Sequence, residues 1–149
     1  LRESEERFRS VVQTASDAII VTDSQGKTVL WSRGAEAMFG YSSDEVLGEP
    51  LTLVIPERFR EPYADAMGRA MSSRLRLVAG GVTEAIGLRK DGGEFPTEVS
   101  LATWHTKEGR FITSIVRDVS ERKEAEQARE GLETQLRQAQ KIQAVGLLA

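Results

Sequence analysis

Hydrophobic and polar positions repeat at two different periods along this chain, and the changes of period divide it into elements. Residues 3–14, ESEERFRSVVQT, place Phe8, Val11 and Val12 at i, i+3 and i+4 among charges, the spacing of an amphipathic helix. DAIIVTD (17–23) is a β-branched run, DSQG (23–26) a turn and KTVLWS (27–32) a second run, which together predict a hairpin. RGAEAMFG (33–40) predicts a short helix ended by Gly40, and YSSDEVLG (41–48) another, with Ser42 and Glu45 at capping-box spacing. GEPLTLVIP (48–56) reads as a loop with two prolines. ERFREPYADAMGRAMSS (57–73) is the longest helix of the globular part, with Phe59, Tyr63, Met67 and Met71 as its apolar stripe.

Three strands are predicted next. The first covers roughly 75–90, with a bend or bulge at Gly80-Gly81. KDGG (90–93) is a hairpin turn, and EFPTEVSLATW (94–104) puts Phe95, Thr97, Val99, Leu101 and Thr103 on one face by period two. TKEG (106–109) turns the chain into RFITSIVRDV (110–119). From 118 onward the strand signal and the prolines disappear. A heptad frame puts Ala125, Leu132, Ala139 and Gly146 at a, and Ala128, Gln135, Ile142 and Ala149 at d. This thin seam predicts a marginal coiled coil able to shift register, about 45 Å long at 1.5 Å per residue. The final run AQKIQAVGLLA (139–149) is still amphipathic where the sequence ends, the pattern expected of a chain cut within a continuous helix.

The order helix, two strands, three helices, three strands, long helix predicts an α+β domain: one antiparallel sheet with short helices packed on one face. At 149 residues the natural count is one domain with a helical extension. Net charge is -3 with acids and bases interspersed, which gives no nucleic-acid footprint. There is no cysteine, so disulfides, thiolate metal sites and cysteine nucleophiles are excluded, and the single histidine, His105, excludes a His-rich metal site. No apolar run approaches the ~18 residues of a membrane span. The expectation is a soluble, cytoplasmic piece without membrane contact. Enzyme constellations are also missing: no P-loop, no HExxH and no kinase ATP-binding motif.

Three stretches carry a family resemblance: SDAIIVTDSQGKTVLWSRGAEAMFGYSSDEVLGEPLTLVIPERFR, LRKDGGEFPTEVSL and FITSIVRDVSERKEAE. With the element order they resemble a PAS domain over roughly residues 4–125. The remainder resembles the signalling helix between a PAS domain and a histidine kinase, and KIQAVGLLA is similar to the run before the kinase's phospho-acceptor histidine. The resemblance implies an N-terminal cap helix (1–15), a PAS core with a five-stranded antiparallel sheet (16–118), and a signalling helix or coiled coil (119–149) leading to a kinase dimerisation and phosphotransfer domain outside this sequence. It implies a sensory, regulatory and dimerisation module, itself no enzyme, that controls autophosphorylation of a parent histidine kinase. The implied partners are a second copy, the kinase domain of the same chain and, through it, the response regulator of a two-component phosphorelay.

PAS domains commonly hold a ligand between the sheet and the long helix. The expected cavity residues are Tyr63, Met67, Met71, Leu75, Leu77, Leu88, Val99, Leu101 and Ile115. No cofactor is predicted and the small-molecule ligand is unknown. Adduct-forming flavin chemistry needs a cysteine that this chain lacks. PERFREPYADAM resembles the haem-bearing helix of oxygen-sensing PAS kinases, but Tyr63 stands at the position of the iron-binding histidine and Thr83 near that of an oxygen-handling arginine. Both departures argue against haem. Asp118, Val119, Ser120 and Arg122 resemble the family's signal junction, in which Asp118 would pair with a basic side chain such as Arg89 or Arg122. The expected dimer contacts are Phe8, Val11, Val12, Ala125, Leu132, Ala139 and Ile142. Two alternatives remain open: a ligand-free dimerisation scaffold, and a haem or other cofactor-based sensor.

Overall fold

The computed structural model describes residues 6–7, 16–72 and 82–148. The expected cap helix therefore lies almost wholly outside the described residues, as do Leu75, Leu77 and the first part of the strand expected from 75. The chain divides into two compact units, Leu1–Asp118 and Val119–Ala149.

In the first unit, β1 (Ala18–Asp23) and β2 (Thr28–Trp31) form the expected hairpin, followed by helices α1 (Arg33–Phe39) and α2 (Ser43–Val46), a 3₁₀ turn over Leu51–Val54, and α3 (Glu57–Ser72). The strands β3 (Val82–Leu88), β4 (Glu94–Thr106) and β5 (Gly109–Asp118) follow. All five strands are antiparallel, in the order β2-β1-β5-β4-β3. The predicted α+β architecture is the one observed.

Register fixes what each face carries. Val99 stands opposite Val116 and Leu101 opposite Ser114 across β4 and β5, while Ile20 stands opposite Ser114 across β1 and β5. These side chains point to the helix-covered face, and Ile19, Ile115 and Trp104 to the other, because successive strand residues alternate. The core gathers Ala18, Ile20, Trp31, Phe39, Val54, Phe95 and Val116 under the helices. Phe39 sits at its centre, with its ring 5.5 Å from both Trp31 and Phe95.

Helix α1 is tied to the sheet by one hydroxyl. Ser32 Oγ accepts from Ala35 N at 3.2 Å as the N-cap, and from Ile19 N on β1 at 2.9 Å. The Ser32 N–H returns a bond to Ile19 O at 3.1 Å. Gly34 permits this approach, since a Cβ there would lie 2.2 Å from the Asp17 carbonyl oxygen. At the far end Gly40 takes a left-handed φ of 85° and closes the helix with a 2.9 Å bond to Glu36 O. The capping box expected at α2 is present, with Ser42 N donating to Glu45 Oε1 at 3.0 Å.

Three local expectations need correction. The proline-containing loop holds a 3₁₀ turn, whose Leu51 and Val54 are buried in the core. β4 runs two residues past Trp104, because His105 and Thr106 continue the ladder with Arg110 and Gly109. Phe59 is not on the buried stripe of α3; it is 40% exposed under the Arg58 guanidinium, 4.5 Å from its ring centre, and Ala70 is buried instead. Each i+4 step overshoots a helical turn by about 40°. Four residues so spaced drift around the helix and cannot share one narrow face.

The second unit is one helix, α4 (Ser120–Leu148). Its apolar residues face solvent: Leu132 is 67% exposed and Ile142 72%. Ala125 and Ala139 are also exposed, as are Leu136 and Val145, which lie off the expected seam and, nine residues apart, on opposite sides of the helix.

Candidate functional site: an apolar cavity and a clamped strand end

Between the inner face of the sheet and the helices lies a cavity of about 560 Å³. The sheet contributes Ile20, Thr97, Val99, Leu101, Ser114 and Val116, α3 contributes Tyr63, Ala66, Met67 and Ala70, and Phe39, Leu51 and Val54 close the end nearest α1. That size and lining suit a small organic ligand. Among the described residues of the lining, Arg69, exposed on α3 and engaged in other interactions, is the charged one. Burial pushes the Tyr63 phenol up to about 12, which shows that the wall around it disfavours charge.

Four expected residues, Tyr63, Met67, Val99 and Leu101, lie on this wall. Met71 lines a smaller pocket of about 230 Å³ instead, between α3 and the β1–β2 turn, where Tyr63 and Met67 also appear. Leu88 is not among the lining of either cavity. Ile115 was placed on the wrong face: it is 43% exposed on the outer side of β5, and the cavity side chains of that strand are Ser114 and Val116. Leu77, Phe8, Val11 and Val12 lie outside the described residues. Thr97 lies on the cavity wall, on the β4 face expected for it, and Ser114 joins it without having been expected, although the pairing of Leu101 with Ser114 follows once β4 and β5 are set in register.

Ser114 differs from the other buried hydroxyl on the wall. Thr97 Oγ1 donates to Ala85 O at 3.0 Å. Ser114 is 5% exposed, and its hydroxyl has no hydrogen-bond partner among the described residues; it opens to the cavity.

A second feature stands at the end of β5. The Arg89 guanidinium lies 3.8 Å from the ring centre of Phe95, donates to Met38 O at the end of α1, and pairs with Asp118 Oδ2 at 2.9 Å. Phe95 in turn packs on Phe39 of the cavity wall. Gly87 makes room here, since a Cβ would meet Phe95 at 2.8 Å and Phe39 at 3.2 Å. The cavity wall and the last residue of β5 are thus joined through Phe39, Phe95 and Arg89. Of the two basic partners expected for Asp118, Arg89 is seen at ion-pair distance, while Arg122 lies 3.9 Å from Glu126 along α4. Val119 is buried, and Ser120 opens the helix.

Residues 16–121 match the sequence profile of the PAS domain family. The chain belongs to the PAS domain family. Solved PAS domains agree in shape: one from Colwellia psychrerythraea superposes with a TM-score of 0.69 at 22% identity, covering 79% of this chain and 98% of that one. A PAS domain from a two-component sensor histidine kinase gives 0.62 at 17%, covering 79% and 99%. By sequence the chain is similar to the sensor protein FixL of Bradyrhizobium diazoefficiens, with 29% identity over 149 residues, all of this chain and 30% of that protein. It is also similar to the cell-division control histidine kinase PdhS of Brucella ovis, with 24% identity over 123 residues, 82% of this chain and 12% of that protein. It is therefore a PAS sensory domain related to histidine kinase sensors, and it spans less than a third of the length of these relatives. No helix among the described residues is long and apolar enough to cross a membrane.

Proposed function

We propose that this PAS domain is the sensory and regulatory module of a cytoplasmic, homodimeric histidine kinase, and that occupancy of its cavity controls autophosphorylation through the helix that follows β5. The observation that carries this reading is the Arg89 clamp. One guanidinium touches the aromatic packing behind the cavity wall and holds the carboxylate at the end of the strand that leads into α4. A ligand that displaces Phe39 moves Phe95 and its stacked guanidinium, which shifts the strand end. A bias of a few kcal/mol in a bistable helix pair is enough to switch output. The exposed Leu132, Leu136, Ile142 and Val145 of α4 support a second copy as the partner of that helix.

The ligand site suits a molecule without iron. No lining residue is a histidine, and an iron-bound tyrosine is a phenolate, the form that burial of Tyr63 disfavours. The response regulator and the kinase domain enter through the longer parent chain.

The test is autophosphorylation of the kinase that contains this domain, with Asp118→Ala and Arg89→Ala compared with wild type. Asp118→Ala removes the partly exposed ion pair, about 1 kcal/mol, which shifts the balance of states about fivefold. Arg89→Ala, which also loses the bond to Met38 O and the Phe95 contact, shifts it at least as far, so basal phosphorylation changes accordingly. Unchanged phosphorylation in both variants refutes the clamp as the route of control. The exposed apolar positions of α4 also favour a pure assembly scaffold as a second reading. In that case deleting residues 119–149 removes the dimer, while filling the cavity with a bulky side chain leaves phosphorylation unchanged.

A further inference from the structure

The cavity wall carries more information than its size. Ser114 occupies the middle of β5, the strand flanked by β1 and β4, with Ile112 and Val116 on the same face of its own strand and Ile20 and Leu101 opposite. Every one of these neighbours is apolar. A hydroxyl in such a setting keeps its hydrogen-bonding capacity only if something in the cavity uses it, since an unpaired buried polar group is costly. Every fully enclosed side-chain nitrogen or oxygen among the described residues has a partner, whereas the Ser114 hydroxyl faces the open volume.

We propose that the cavity selects an uncharged, predominantly apolar organic molecule, whose single polar group hydrogen-bonds to Ser114. This rests on the reading of the cavity as the sensing site and names the class of molecule that it takes. Charge is disfavoured on three grounds. Among the described residues no carboxylate, lysine or histidine lines the cavity, and the one described arginine at its edge, Arg69, is already engaged. The Tyr63 phenol on the α3 wall sits in surroundings that push its ionisation up through desolvation, so charge is disfavoured there. An ion in this volume would lose its hydration with no described lining residue of opposite charge free to replace it. Size and shape come from the remaining wall, where Met67 is the adaptable member.

The experiment uses the 149-residue chain and three fluorescent probes of one shape: pyrene, pyrene-1-methanol and pyrene-1-carboxylate. Binding is followed by fluorescence anisotropy. Pyrene-1-methanol is expected to bind most tightly, and the carboxylate at least about tenfold more weakly. Ser114→Ala is expected to weaken the alcohol about fivefold and leave pyrene unchanged, the signature of one lost hydrogen bond. Ala66→Phe, which fills the α3 side of the cavity, is expected to abolish binding of all three while leaving the circular dichroism spectrum intact.

The proposal is overturned if the carboxylate binds as tightly as the alcohol, or if Ser114→Ala weakens pyrene and the alcohol alike. It also falls if the alcohol is indifferent to Ser114→Ala, which leaves the hydroxyl to a water. Binding that survives Ala66→Phe, or no binding by any probe, overturns it as well. The outcome is separable from the regulatory reading. Selective binding with phosphorylation indifferent to the Arg89 and Asp118 variants keeps the ligand class and removes the route of control; the reverse result removes the ligand class alone.

Discussion

Replacing Gly34 by alanine sets two known effects against each other at one residue. Alanine is the better helix former by about 1 kcal/mol, so propensity alone makes Gly34→Ala stabilising. The structure predicts the opposite. The added Cβ would lie 2.2 Å from the Asp17 carbonyl oxygen and 2.8 Å from Ser16 O, both backbone atoms that no rotamer change can move. Relief requires α1 to withdraw from β1 by roughly an ångström, the gap between 2.2 Å and ordinary contact. The three bonds that fasten α1 to β1 and cap it converge on Ser32: Ile19 N to Oγ, Ala35 N to Oγ, and Ser32 N to Ile19 O. The Ala35 bond lies within α1 and moves with it, so withdrawal breaks the two bonds to Ile19. At about 1 kcal/mol each their loss costs about 2 kcal/mol, for a net destabilisation of about 1 kcal/mol after the gain in propensity. With a urea slope of about 1–3 kcal/mol per molar, the midpoint falls by about 0.5 M. Trp31, buried against Phe39, makes intrinsic fluorescence a suitable reporter. Gly68→Ala in α3 is the matched control. Its Cβ meets nothing within 4 Å, so the same substitution there raises stability by about 0.5–1 kcal/mol. A Gly34→Ala midpoint at or above that of wild type refutes the argument from close approach.

Other consequences are measurable in the same way. Lys90 Nζ donates to Glu45 Oε2 at 2.6 Å and, with the Ser42 N–H, holds the Glu45 carboxyl at about 2, well below its ordinary value. Lys90→Met should return Glu45 toward the usual carboxylate range, read by carbon-detected NMR titration of the side chain. Tyr63 keeps its proton to about 12 in the folded state but loses it near 10 when unfolded. Its contribution is therefore complete below pH 10 and is lost as pH rises from 10 to about 12, so the alkaline fall in urea midpoint should be shallower in Tyr63→Phe. On α4, Leu132→Glu combined with Ile142→Glu should shift sedimentation toward the monomer at fixed concentration, and an unchanged dimer would place the contact elsewhere.

Much of this architecture was legible in the residues. The period-two face of β4, from Phe95 to Leu101, needed no partner to be read, because Glu98, Ser100 and Ala102 leave the other face polar or small. β5 resisted the same treatment. RFITSIVRD carries Phe111, Ile112, Ile115 and Val116 as two adjacent apolar pairs, so both faces look equally hydrophobic, and choosing the bulky Ile115 hid Ser114. Only the register with β1 and β4 settles which face is inner. The 3₁₀ turn at Leu51–Val54 was concealed by its prolines, which signal an irregular chain without telling whether that chain is buried. The partnership of Asp118 with a basic residue was expected, but the place of Arg89 in it depends on the Phe95 ring that supports its guanidinium.

The place of β5 in the sheet limits how anything can leave through it. The strand is laced along both edges, to β1 from Ala18 to Asp23 and to β4 from Thr97 to Thr106. It cannot act as a piston. A one-residue slide would break both ladders together and bring Ile115 inward while expelling Ser114. What remains to it is torsion: the sheet can twist or flatten as a sprung plate, and the end of β5 then swivels about its own axis. A helix attached to such an end is turned more readily than it is pushed, and rotation costs no hydrogen bond in either ladder.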